Sequence, residues 1–157
     1  MPEITPWLWF DTEAEDAAKF YTSVFPNSKI TDTTYYGTAG PRAEGMVMTV
    51  AFELDGRKLA ALNGGPNFKF NEAVSFMVSC KDQDEVDTYW SKLSEGGEEG
   101  PCGWLKDRYG LSWQIVPTAL NELLGEPDRE KSQRVMSAML NMRKIEIAEL
   151  ERAAAAA

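Results

Sequence analysis

Histidine is absent from all 157 residues. Without it the chain has no imidazole metal ligand and lacks the commonest general base near neutral pH, and a His-dependent catalytic triad is excluded. Cysteine occurs twice. Cys80 and Cys102 lie too far apart for a CxxC motif and are too few for a disulfide framework, so buried, reduced thiols are expected. Positive charge is scarce, with 16 Lys and Arg against 25 Asp and Glu and a net charge of -9. Such a field repels phosphate backbones, so no nucleic-acid partner is expected. No apolar run approaches the roughly 20 residues that span a bilayer. The start, Met1-Pro2-Glu3, lacks the basic and apolar segments of a secretory signal. The expectation is a cytoplasmic protein with no membrane partner.

What is present is a globular composition, 43% hydrophobic, arranged in a pattern that occurs twice. Ile4 to Phe10 reads as a strand. Thr12-Glu13-Ala14-Glu15 has the form of a capping box. Ala14, Ala17, Ala18, Tyr21, Val24 and Phe25 then recur at helical spacing until Pro26-Asn27. Extended segments follow near 29–36, 46–54 and 58–63, the last two joined by Asp55-Gly56, a hairpin signal. The pattern returns with a strand at 73–79, an acidic helix start at Asp82 to Glu85, an apolar face of Val86, Tyr89, Trp90 and Leu93, and a stop at Gly96-Gly97. Further extended pieces lie near 98–102, 103–106 and 111–116. The fold class is therefore α+β, built from two βαβββ modules with a C-terminal helical tail. The boundaries read as 1–66, 67–117 and 118–157, the two modules forming one compact unit. In the tail, a short helix over 118–124 precedes a longer one that opens at Asp128 and carries Val135, Met136, Met139, Leu140 and Ile147. Its apolar stripe docks on the body or on a second subunit.

Four stretches together resemble a known family: ITPWLWFDTEAEDAAKFYTSVF, LNGGPNFKFNEAVSF, CGWLKDRYGLSWQIVP and the tail VMSAMLNMRKIEIAELERA. They are similar to the PhnB-like proteins of the glyoxalase and bleomycin-resistance, or vicinal oxygen chelate, superfamily, in the branch labelled 3-demethylubiquinone-9 3-methyltransferase domain. The resemblance implies two half-cups, a homodimer that completes them, and a divalent metal held by His, Glu or Gln from the first and last strand of each module. Those strands offer only Asn63, Ser75, Ser79 and Gln114. Gln114 stands where metal-dependent relatives carry a Glu. One or two amides do not make a transition-metal site, so neither a metal nor another cofactor is expected. The methyltransferase label finds no Gly-rich, donor-binding turn after a first parallel strand.

The candidate ligand-binding residues are Trp7, Trp9, Asn63, Ser75 and Gln114, aromatic walls with a few polar anchors. Strand alternation puts Ser112 and Val116 on the side of Gln114, and Trp113 and Ile115 on the other. Gln114 either meets a ligand or satisfies neighbouring backbone. Asp107-Arg108-Tyr109-Gly110 reads as a turn with solvated charges. The function expected is binding of a small aromatic or quinone-like molecule. The alternatives are an enzyme on a quinone or dicarbonyl substrate, and an interaction module whose cup is filled by its own side chains.

Overall fold

The computed structural model describes residues 1–156. The chain divides into two compact units, one spanning Met1–Phe70 and the other beginning at Asn71. The division falls after Phe70 because the linker packs back on the first strand. Phe68 meets Trp9 edge-on at 4.9 Å between ring centroids, and Phe70 meets Phe10 at 5.3 Å.

The first unit runs β1 (Trp7–Phe10), α1 (Ala14–Val24), β2 (Lys29–Tyr35), β3 (Val47–Leu54) and β4 (Arg57–Asn63). Its sheet order is β1-β4-β3-β2, with β1 and β4 parallel and the other pairs antiparallel. Alternation along β1 buries Leu8 and Phe10 and leaves Trp7 on the opposite face. The buried face also carries Val50, Phe52, Leu59 and Ala61. Helix α1 covers it with Ala14, Ala17, Ala18, Tyr21 and Val24, the small alanines letting the helix approach β3 and β4 closely. The β3–β4 hairpin turns at Asp55 and Gly56, both at positive φ (47° and 78°), as a tight reversal demands.

The capping box expected at Thr12 does not form. Glu13 occupies the cap position without a side-chain bond. Instead the Ala14 N–H donates to Oδ1 of Asn63, 2.9 Å away at the end of β4. The cap is thus tertiary, and no local pattern encodes it.

The second unit repeats the plan: β5 (Ser75–Cys80), α2 (Gln83–Ser94), β6 (Glu98–Glu99), β7 (Trp104–Lys106) and β8 (Ser112–Pro117). Its order is β5-β8-β7-β6, again with the first strand parallel to the last. Here the acidic start does cap the helix. Asp82 Oδ1 accepts from Glu85 N at 2.9 Å, and Glu85 Oε2 accepts from Lys81 N at 2.8 Å.

The tail comprises α3 (Thr118–Leu124), α4 (Arg129–Leu140) and α5 (Ile147–Ala155). The single long helix expected from Asp128 is in fact two, and Ile147 opens the second. The break has a physical cause: the carbonyls of Met142 and Arg143 leave the helix to accept from Cys102 N (2.8 Å) and Gly103 N (2.7 Å). Gln83 of α2 then donates to Ile145 O and accepts from Ile147 N. Val135, Ile145, Leu150 and Ala154 bury with Val116 and Leu120, so the apolar stripe docks on its own unit. Among the described residues no helix is long and apolar enough to cross a membrane.

Candidate binding site

Each sheet has one face under its helix and one face away from it, and the candidate residues divide between these faces. In the first unit, Trp7 and Trp9 pair with Ala60 and Leu62 on the face away from α1. Trp7 is exposed, at 58%. Trp9 is held in place: its indole N–H donates to Gly65 O at 2.8 Å, and its ring lies against Gly64, where an added Cβ would come within 2.3 Å. The Gly64-Gly65 pair therefore seats an aromatic ring.

Asn63 pairs with Phe10 on the opposite, helix-covered face and is 2% exposed. Besides capping α1, its Nδ2 donates to Val47 O at 3.0 Å, and its backbone carbonyl accepts from the Tyr36 hydroxyl at 2.6 Å. Strand parity thus puts Leu62, not Asn63, beside Trp9, and commits the Asn63 amide to bracing the fold.

In the second unit Ser75 and Gln114 come together, Gln114 Nε2 donating to Ser75 Oγ at 2.9 Å. The Gln114 Oε1 has no hydrogen-bond partner among the described residues. Register places Trp104 beside Gln114, and both Ser75 and Lys106 beside Ser112, all on the face away from α2. Next to them opens a cleft of about 400 Å³ lined by Glu72, Glu98, Cys102, Trp104, Lys106 and Ser112, among others.

Ser112 is the most informative of these residues. It is 1% exposed, and its hydroxyl is the buried side-chain polar atom left without a hydrogen-bond partner among the described residues. A hydroxyl buried without a partner costs roughly 1–3 kcal/mol. Among the described residues, neither the Trp104 indole N–H nor the Glu98 carboxylate makes a hydrogen bond or salt bridge. Lys106 is bridged to Glu72. That hydrogen bond holds the Glu72 carboxyl below its usual range and the Lys106 ammonium above its own, so both are charged at neutral pH. The alternation that singled out Gln114 also points to Ser112, a small polar residue inside the apolar run SWQIVP. Trp104, Glu98 and Lys106 depend on the pairing of β6, β7 and β8, which no local pattern fixes.

Two expectations are corrected nearby. Asp107 is not solvated but 2% exposed. Its Oδ1 accepts from Tyr109 N (2.8 Å) and Leu111 N (3.1 Å), and its Oδ2 from the Trp113 indole at 2.9 Å. The turn is therefore built around a carboxylate. Of the two thiols, only Cys80 is fully buried; Cys102 is partly exposed at positive φ (58°) beside the cleft.

The donor set does not fit a metal centre of the superfamily type. Among the described residues no three His, Cys, Asp or Glu side chains converge as ligands would. The face that would supply them presents Gln114 already bonded to a serine hydroxyl, and a transition ion prefers imidazole, thiolate or carboxylate.

Two βαβββ modules in one chain, each with its first strand parallel to its last, define the glyoxalase-like class. Residues 2–116 match the family model described as 3-demethylubiquinone-9 3-methyltransferase, and the chain belongs to that family. It is similar to the PhnB protein from Bacillus cereus, with 35% identity and a TM-score of 0.66 over 74% of this chain and 99% of that one. Protein PA1353 from Pseudomonas aeruginosa shares the fold at 18% identity and a TM-score of 0.62, over 74% and 98% of the two chains. The fosfomycin resistance protein FosX from Listeria monocytogenes shares it at 15% identity and a TM-score of 0.56, over 80% and 98%. No curated protein matches.

Proposed function

We propose that the protein binds a small, flat, aromatic or quinone-like molecule at the face of the second sheet away from α2. One observation carries the reading: the buried Ser112 hydroxyl has no hydrogen-bond partner among the described residues where it lines a cleft of about 400 Å³. Buried polar groups are almost always paired, so an unpaired one beside an open volume is a place for a ligand acceptor. The cleft sets the Trp104 ring beside the Ser112 hydroxyl and the charged groups of Glu72, Glu98 and Lys106, an aromatic wall with polar anchors that suits a small molecule. Gln114 and Ser75 supply an adjacent amide and hydroxyl. Trp7 and Trp9 give the first sheet an aromatic face of the same kind.

The exposed apolar residues Trp7 (58%) and Met77 (53%) on the uncovered sheet faces favour a second copy of this chain as partner. The scarcity of cysteine favours the cytoplasm.

The test is a thermal-shift and calorimetric screen with menadione and 1-naphthol. Saturable binding to the wild-type chain, weakened in Ser112→Ala and Trp104→Ala, is the expected result. No binding, or binding indifferent to both substitutions, would place the ligand elsewhere or remove it.

A further inference from the structure

The cleft in the second unit has a charge as well as a shape. Its lining residues carry three carboxylates, Glu72, Glu98 and Glu99, and one ammonium, Lys106; Glu99, opposite Leu105 in register, turns its carboxylate toward α2, which leaves Glu72 and Glu98 on the Lys106 face. Three of these four groups are occupied. Glu72 is bridged to Lys106. Glu99 accepts from the Trp90 indole at 2.8 Å and faces Arg143 at 3.9 Å. Glu98 alone makes neither a hydrogen bond nor a salt bridge among the described residues. It is paired in register with Lys106, so it shares that side chain's face of the sheet. Its carboxylate acts on Lys106 only as a secondary, through-space influence behind Glu72.

The spare groups of the cleft are therefore one carboxylate, one buried hydroxyl and one aromatic ring with its N–H. An anionic ligand would meet the excess of carboxylates and would have to take Lys106 from Glu72. A cation meets Glu98 directly and gains from the face of Trp104, since indole rings attract ammonium groups. The Ser112 hydroxyl, desolvated already, accepts from or donates to the same molecule further in. The net charge of -9 also concentrates cations around the protein.

We infer that the cleft is selective for an aromatic molecule carrying a primary ammonium or similar organic cation, with Glu98 as the charge partner, Trp104 as the wall and Ser112 as the inner hydrogen-bonding group. The inference rests on the binding reading above and adds the charge class of the ligand.

Three probes of one shape test it by calorimetry at pH 7: 1-naphthylmethylamine, 1-naphthalenemethanol and 1-naphthoate. The expected order is amine, alcohol, carboxylate, with the amine about fivefold tighter than the alcohol, the size of one partly exposed charge pair. In Glu98→Gln the ratio of amine to alcohol falls to near one. In Lys106→Met it rises, because Glu72 is released. Added salt narrows the wild-type ratio, since exposed charges are screened. Equal affinity for all three probes, a preference for the carboxylate, or an amine preference that survives in Glu98→Gln overturns the charge assignment and leaves the cleft as a binding site. No binding by any probe to the wild-type chain removes the cleft as a site, and the inference with it.

Discussion

Asn63 Oδ1 lies 2.9 Å from the backbone N–H of Ala14, so the last residue of β4 caps the first turn of α1 across most of the first unit. The same amide holds Val47 O through Nδ2. Both bonds are made in a site that is almost fully dry. Truncation strands a helix N–H and a strand carbonyl together. Asn63→Ala is expected to cost about 2–3 kcal/mol, the sum of a lost cap and an unsatisfied buried group. Urea denaturation measures it. A loss within a few tenths of a kcal/mol would show that water replaces the amide.

Ser112 predicts the opposite sign. Its hydroxyl is buried without a partner among the described residues, so the folded state carries a desolvation cost that alanine removes. Ser112→Ala is expected to stabilise the ligand-free protein by about 1 kcal/mol. The same change weakens any ligand that bonds there. Stability and binding thus move in opposite directions at one residue. A destabilised Ser112→Ala would mean that ordered water already satisfies the hydroxyl.

The periods of the sequence carry most of the fold. Apolar spacing gives both helices that cover the sheets, alternation gives the strands, and Asp55-Gly56 gives the hairpin, because each is decided by neighbours within a few positions. The site is less legible, since its residues are joined by register. Asn63 reads as a pocket amide until the β1–β4 pairing sets its parity and turns it under α1. Asp107 reads as a surface charge because a buried carboxylate has no local signature; its partners include two backbone N–H groups and an indole. The division of the tail at Asn141 is hidden for the same reason. Helical spacing continues through it, and tertiary hydrogen bonds from Cys102 and Gly103, together with those of Gln83 to Ile145 and Ile147, stop it.

Asp107 yields a graded pair of variants. Asp107→Ala removes the acceptor of three N–H groups and is expected to cost about 3 kcal/mol or more. Asp107→Asn keeps the shape and one acceptor oxygen, so its cost is smaller, and the indole of Trp113 loses the charged partner. Chemical denaturation orders the two variants, and near-ultraviolet dichroism follows Trp113. Equal costs would show that packing rather than hydrogen bonding decides this turn.

The two thiols separate by burial, and the separation sets both a labelling pattern and a pH dependence. Burial, reinforced by Glu85 and Asp82, pushes the Cys80 thiol up from 9.0 to about 12. The folded state therefore prefers the protonated thiol. Below pH 9 both folded and unfolded chains hold that proton, and the group adds no slope. Between pH 9 and about pH 12 the unfolded chain releases the proton and the fold does not, so stability declines as pH rises. Cys80→Ser removes this part of the alkaline decline. At pH 8, Ellman's reagent is expected to titrate Cys102 in the native protein and Cys80 only after denaturation, since Cys80 is fully buried and Cys102 is not. Two fast-reacting native thiols would mean that the β5 end of the second core opens readily, and the decline above pH 9 would then be correspondingly weak.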